Sequence, residues 1–452
     1  MISQLLTIAR NTFLEAVRQP IYFIMVLICG VAQILTTWGT GFSLGYSDSS
    51  EVSGDNKLLL DLSLATVFVC GTLLAAFIAT AVMSREIENK TVLTVVSKPV
   101  ARPVLVLGKY LGVAAAMLIA VAIMLIFVQL AVRHEVLATA SDVVDQPVLL
   151  FGLLAVGLAF LVGVWGNFFY GWVFSQTTTL LMLPLFALAW LMVLLIDKDW
   201  QWQALSADFK PQIAIASYCL LLALLVLTAA ATAASTRLGQ VMTIVVCAGV
   251  FLFGMLSNHF IGRRVYANRY QGIVRAAAPA REVEAGLDHP GDTYTVHLKF
   301  DPRTTIEPGM PFYYGPSPTG FPLSVEPFTP FRGDPADRDQ LFAPATPRAL
   351  VITAASGREL TVRRAGGAQG KIIHAPPAPG DYIFITPTRV SRGALLAWGV
   401  VPNVQLFWLI DAVSQNQPIP PRHVGLVSLY AGTQVGALLC LAVALFQRRE
   451  VG

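Results

Sequence analysis

Eight runs of roughly twenty or more predominantly apolar residues constrain this chain more tightly than anything else in it. They lie near 21–43, 60–83, 105–132, 148–174, 177–196, 212–235, 238–258 and 424–446. In lipid every backbone polar group must be satisfied within the protein, so runs of this length read as membrane-spanning helices. Composition agrees: 55% of the 452 residues are hydrophobic and 13% charged, against about 25% charged in a soluble domain. The expected class is an all-α polytopic membrane protein of about eight transmembrane helices, with six possible in the core. The fourth and fifth runs are divided only by SQTTT. Asp197, Lys198, Asp199, Trp200 and Trp202 follow the fifth as an interfacial girdle.

Residues 1–20 stand apart. In ISQLLTIARNTFLEAVR, residues Ile2, Leu5, Leu6, Ala9, Phe13, Ala16 and Val17 share one helical face, and Arg10, Asn11, Glu15 and Arg18 belong to the polar one. The spacing predicts an amphipathic helix lying in the membrane interface, apolar side down, closed by Pro20. It lacks the uninterrupted apolar stretch and small-residue cleavage site of a signal peptide. Residues 21–258 hold the first seven spans. At 259–393 Gly and Pro become frequent, and short alternating runs appear: TYTVHLKF, RALVITA, ELTVRR and DYIFITP. Their period of two predicts an inserted β-rich domain. A membrane-proximal segment, 394–423, leads to the last span and tail at 424–452.

Basic residues concentrate in the N-terminal helix (Arg10, Arg18), the loop at 84–104 (Arg85, Lys90, Lys98, Arg102) and the tail (Arg448, Arg449). An even number of spans puts all three on one side, which the positive-inside rule makes cytoplasmic. The β-rich domain is then extracytoplasmic, although Arg263, Arg264 and Arg269 oppose this.

Several chemistries are disfavoured. There is no G-x-x-x-x-G-K-[ST] phosphate loop and no H-E-x-x-H. GFSLG at 41–45 spells G-x-S-x-G, but Ser43 follows a membrane span rather than the strand-to-helix elbow that exposes a nucleophile. His289 and His297 near Asp288, Asp292 and Asp301 match no metal-ligand spacing. The five cysteines all fall inside apolar runs and read as small core residues. A net charge of +4 without an aromatic-interleaved basic stripe predicts no nucleic-acid partner. The span interiors carry essentially no ionisable groups of the kind that ion-coupled transporters place at the midplane, so any transport draws its energy from elsewhere.

SREIENKTVLTVVSKPVARP, at 84–103, is the charged exception between the second and third spans. Ser84 offers an N-cap, Glu86 and Glu88 suit a first helical turn, and Lys98 and Pro99 mark an end. The segment predicts a helix of about three turns, parallel to the membrane or projecting from it, with Ile87, Thr91 and Val95 on an apolar stripe. REIENKTVLTVVSKPVARPVLVLGKYLG resembles the first cytoplasmic loop of ABC-2-type transporter permeases. Glu86, Glu88, Thr91, Lys98, Pro99, Arg102, Gly108, Lys109 and Gly112 match that pattern. IARNTFLEAVRQP, with Arg10, Glu15, Arg18 and Pro20, is similar to the family's N-terminal helix, and STRLGQVMTIVVCAGVFLFGMLS and LFQRRE fit as well.

The resemblance implies a permease subunit in the inner membrane with both termini cytoplasmic. It pairs as homodimer or heterodimer and works with a separate ABC ATPase subunit. ATP and Mg are bound by that partner, leaving no cofactor, metal or catalytic residue in this chain. The ATPase would dock on the N-terminal helix (Arg10, Glu15, Arg18) and on the first loop (Glu86, Glu88, Lys90, Thr91, Lys98, Pro99, Arg102). The work would be export of, or action on, a hydrophobic or envelope substrate. Six spans are usual in the family, so the extra pair and the inserted domain depart from it. The competing expectation is a membrane-anchored receptor or scaffold whose external domain binds an envelope partner.

Overall fold

A computed structural model describes residues 2–40, 51–88, 101–137, 144–280, 292–320, 350–365, 376–409 and 419–447, together with Leu323, Val325, Asp337 and Val413. The chain divides into two units, one of Met1–Met255 with Pro402–Gly452, the other of Leu256–Val401. Ser43, His289 and Asp288 lie outside the described residues.

The first unit is helical: α1 (Ile2–Arg18), α2 (Pro20–Gly39), α3 (Glu51–Glu88), α4 (Arg102–His134), α5 (Gln146–Tyr170), α6 (Phe174–Leu195), α7 (Pro211–Ser235) and α8 (Gln240–Ser257). The second contributes α9 (Arg392–Val400), and α10 (Pro421–Gln447) returns to the first. Among the described residues, eight helices are long and apolar enough to cross a membrane: α2, Asn56–Met83 of α3, α4 to α7, α8 continued to Val265, and α10. Pro20, Pro103, Pro147 and Pro211 stand in the first turns of α2, α4, α5 and α7, where a missing N–H forfeits no helical bond.

The break between the fourth and fifth spans is Gly171, not SQTTT. Gly171 takes φ 67°, the left-handed conformation that ends helices cheaply only at glycine. The Trp172 N–H then bonds back to the Gly166 carbonyl at 3.1 Å. Ser175 to Thr179 belong to the opening turns of α6. Nor does Ser84 start a helix, because α3 runs unbroken through it to Glu88.

The helices α3, α4 and α7 are the most buried spans. Their core is built from Leu74, Ile78, Met117, Val121, Met124, Leu224 and Leu227, with Cys29, Cys70, Cys219 and Cys247 also buried. A Cβ added at Gly71 would stand 2.7 Å from Leu224 Cδ1, so α3 and α7 approach closely there. Val404 and Phe407, in the segment before α10, join this core, and Trp408 stacks edge-on against Phe68 at 5.9 Å. The peripheral α5, α8 and α10 leave Leu153, Leu161, Val245 and Leu429 exposed, an apolar perimeter suited to hydrocarbon.

Neighbouring spans run up and down. At one end Arg102 meets the end of α10, and Lys109 meets the end of α3. At the other, Arg133 at the end of α4 faces Asp145, Asp197 and Asp208 at 3.1, 3.3 and 3.1 Å. Lys198 pairs with Glu135 there at 3.4 Å.

The second unit is a closed antiparallel barrel in the order β2-β3-β6-β5-β4-β7. Its strands are β2 (Tyr270–Pro279), β3 (Thr293–Leu298), β4 (Pro311–Gly315), β5 (Leu350–Ser356), β6 (Glu359–Arg364) and β7 (Tyr382–Phe384). Tyr294, Val296 and Leu298 point inward as their alternation predicts, against Leu360, Val362, Ile352, Phe312 and Ile383. Register pairs Val296 with Leu360 and Ile352 with Val362. The short strands β1 (Tyr266–Ala267) and β8 (Arg389–Val390) pair where the chain enters and leaves the unit. His297 is exposed on β3, and Asp301 is held by Arg358.

Candidate functional site

The site is the end of the membrane unit that gathers α1, the close of α3, the opening of α4, the start of α6 and the close of α10. It is assembled around two glycines. A Cβ at Gly108 would fall 2.8 Å from Ile8 Cγ2 and 3.2 Å from the Leu5 carbonyl, and one at Gly112 would fall 2.5 Å from the Ala9 carbonyl and 2.6 Å from Thr12 Cβ. The backbone of α1 therefore lies directly on α4, the close approach that small residues four apart permit between helices.

This contact reselects the buried face of α1. Thr12, Ala16 and Val17 are buried, Ile8 and Ala9 are half-buried, and Ile2 and Leu6 are 76% and 61% exposed. The hydrophobic face read from spacing alone thus turns partly outward. The groove seats Ile8 over Gly108 and Ala9 and Thr12 over Gly112, which leaves Leu6 outside it. The exposed Ile2 and Leu6 leave an apolar edge of the kind that an interfacial helix presents to lipid.

The far end of α1 is tied to α6. Arg18 Nε donates to Gln176 Oε1 at 2.9 Å, and Ser175 Oγ donates to the Arg18 carbonyl at 3.2 Å. Asn11, Leu14, Glu15, Arg18 and Gln19 line an open groove of about 390 Å³ on another face of α1. Glu15 and Arg18 are thus brought together in one concavity, while Arg10 stays exposed outside it.

At the first loop the backbone of Glu86 and Glu88 occupies the last turns of α3, with their side chains outside the described residues, as are Lys90, Thr91, Lys98 and Pro99 entirely. Both ends of the loop are anchored. Lys109, 4% exposed, donates to the Val82 carbonyl at 2.8 Å and ties α4 to α3. Arg102 Nη1 donates to the Gln447 carbonyl, and Arg237 Nε to the Leu445 carbonyl, both at 2.9 Å. Two guanidiniums thus satisfy carbonyls at the end of α10, where the helix dipole favours positive charge.

Sequence reasoning matched Lys109 to the family pattern but did not anticipate its burial, and it missed Gln176, Ser175 and Arg237. The G-x-x-x-G spacing of Gly108 and Gly112 signals a close helix contact without naming the partner. Nothing local marks Gln176, which is 158 positions from Arg18.

Mechanically, these contacts make α1, the bases of α3 and α4, and the start of α6 one connected body. No curated protein and no solved structure matches the chain. The family model described as ABC-2 family transporter protein matches residues 59–241, from within α3 to the start of α8. That match supports an ABC-2-type permease family.

Proposed function

We propose that this chain is the permease subunit that couples ATP hydrolysis by a separate ABC ATPase to movement of, or work on, a hydrophobic or envelope substrate. The ATPase docks on the end that carries α1 and the first loop. ATP and Mg belong to that partner, and the permease works as a homodimer or heterodimer. The observation that carries this reading is the seating of α1 on Gly108 and Gly112 of α4, because a docking element must be stiffly joined to the spans it drives.

Charge supports the orientation. The α1 end carries Arg10, Arg18, Arg102 and Arg237, whereas Arg133 and Lys198 at the other end are matched by Asp145, Asp197, Asp208 and Glu135. By the positive-inside rule the α1 end is cytoplasmic in the inner membrane, with both termini there and the barrel unit outside.

The test is charge reversal. Glu86→Lys and Arg102→Glu are each expected to lower transport-coupled ATP turnover while the chain still inserts and purifies. Coupled turnover unchanged in both variants would rule out docking at this end. The barrel favours a second reading, a receptor for an envelope partner, in which removing residues 270–390 abolishes function and the first loop tolerates charge reversal.

A further inference from the structure

Between α2, α4, α5 and α6, toward the end that carries Arg133, lies a cavity of about 310 Å³. Phe127 and Phe186 form its buried wall, and it opens outward between the exposed Ile34, Trp38 and Leu153. Met182 and Phe186 flank Pro184, which has no N–H to give the α6 ladder. The volume is at the lower end of the range for small-molecule sites.

Three buried lining residues break the apolar pattern: Thr37, whose hydroxyl donates to the Gln33 carbonyl at 2.9 Å, Gln33 and His134. Gln33 is 3% exposed and His134 5%. Gln33 Nε2 donates to the Ser63 carbonyl at 3.0 Å, but its Oε1 has no hydrogen-bond partner. His134 Nδ1 lies 2.9 Å from the Glu135 carbonyl. A carbonyl only accepts, so Nδ1 carries the proton, and in the tautomer protonated there Nε2 is an acceptor; it too has no partner. Buried polar atoms are rarely left so. The two atoms have the same need, a donor, beside a chamber whose remaining walls are mostly apolar. Water would supply donors but would leave those walls wetted.

We propose that this cavity binds an amphiphile: an apolar body carrying a hydroxyl or amide N–H, which donates to Gln33 Oε1 or His134 Nε2. The site takes its purpose from the transport reading, as the place where the membrane unit holds its substrate class. Its chemistry is independent of any ATPase, so binding to the chain alone and coupling at the α1 end succeed or fail separately.

The experiment uses the full chain in lipid nanodiscs and a ten-carbon alkanol with a diazirine in its chain, compared with the methyl ether of the same molecule. Photolabel is expected on α2, α4 and α6 peptides around the buried lining residues Gln33, Phe127 and Phe186. Half-saturation is expected at roughly threefold to tenfold lower concentration for the alcohol than for the ether, the worth of one hydrogen bond. Gly152 lines the cavity and Gly157 does not, and neither has a neighbour within 4 Å of an added Cβ. Gly152→Leu should therefore abolish labelling and Gly157→Leu, on the same helix, should preserve it. If Gly152→Leu fails to fold, Ile34→Trp serves as the filling variant. Labelling that appears only after delipidation identifies a resident membrane lipid as the occupant, and labelling without it identifies an exchanging amphiphile; either supports the site. Label spread over the exposed faces of α5, α8 and α10 and unmoved by either filling variant would overturn it, as would equal affinity for alcohol and ether.

Discussion

Gly112→Ala tests the contact on which coupling depends. The added methyl would stand 2.5 Å from the Ala9 carbonyl and 2.6 Å from Thr12 Cβ, where ordinary contact begins at 3.4 Å. The obstruction includes backbone, so no side-chain rotation relieves it, and α1 must retreat by about 0.9 Å (3.4 minus 2.5). A gap of that size forfeits roughly a quarter to a half of each dispersion contact across it, and overpacking typically costs about 1–3 kcal/mol. Alanine in place of glycine inside a helix returns about 1 kcal/mol. Gly157→Ala on α5 receives that return with nothing within 4 Å to clash. Comparing the two variants cancels helix propensity and leaves a difference of about 1–3 kcal/mol. Hydrogen exchange reads it at the right place: the amides of α1 are expected to exchange roughly one to two orders of magnitude faster in Gly112→Ala than in Gly157→Ala. Equal protection of α1 in the two variants would show that α1 is not seated on α4, and coupling through this contact would fall with it.

The charged and titratable groups give further outcomes. Arg133→Gln removes the cation shared by Asp145, Asp197 and Asp208 and strands a fully buried Asp145. It should destabilise the membrane unit by about 3–5 kcal/mol in thermal denaturation, with partial recovery in the Arg133→Gln, Asp145→Asn double variant; full stability of the single variant would contradict the pairing. On the barrel, Arg358 hydrogen-bonds both oxygens of Asp301, at 2.7 and 3.2 Å, and holds its carboxyl below the usual range. A depressed folded-state value means that this contribution is present above about pH 4 and is lost as pH falls further. Asp301→Asn should therefore speed amide exchange in β3 and β6 only at higher pH, the two proteins converging in acid. In the opposite direction, burial pushes the Tyr314 phenol up to about 12, with Asp381 and Tyr294 adding to the shift. Its contribution is complete below about pH 10 and is lost as pH rises toward 12, which Tyr314→Phe should abolish in an alkaline titration of barrel stability.

What was legible in the sequence had a local physical signature. Twenty apolar residues must span, so eight helices emerged, most of them within a few residues of their observed bounds. TYTVHLKF, RALVITA, ELTVRR and DYIFITP alternate with period two, so β3, β5, β6 and β7 were visible, though their pairing order was not. Termini were read less well. Ser84 followed by Glu86 and Glu88 satisfies the chemistry of a helix start, yet α3 passes through it, since such residues are equally tolerated in a helix already under way. SQTTT is a polar break by composition, but the chain turns at Gly171, where only backbone conformation matters. On the apolar face of α1, Ala16 and Val17 are buried and Leu5, Ala9 and Phe13 half-buried, while Ile2 and Leu6 stay outside, because the Gly108–Gly112 groove takes Ile8, Ala9 and Thr12. The Arg133 cluster joins residues from three separate segments, the end of α4, the start of α5 and the α6–α7 connection, and no short window on the sequence contains it.

Docking of an ATPase on the α1 end is the step on which everything else about coupling rests. It is measured by gentle purification through a C-terminal tag, followed by mass spectrometry of what accompanies the chain, for the native protein and for Glu86→Lys. A stoichiometric P-loop ATPase is expected with the native chain, and its loss is expected with the variant. A chain that purifies without an ATPase, or one that keeps it undiminished in Glu86→Lys, would contradict docking at this end.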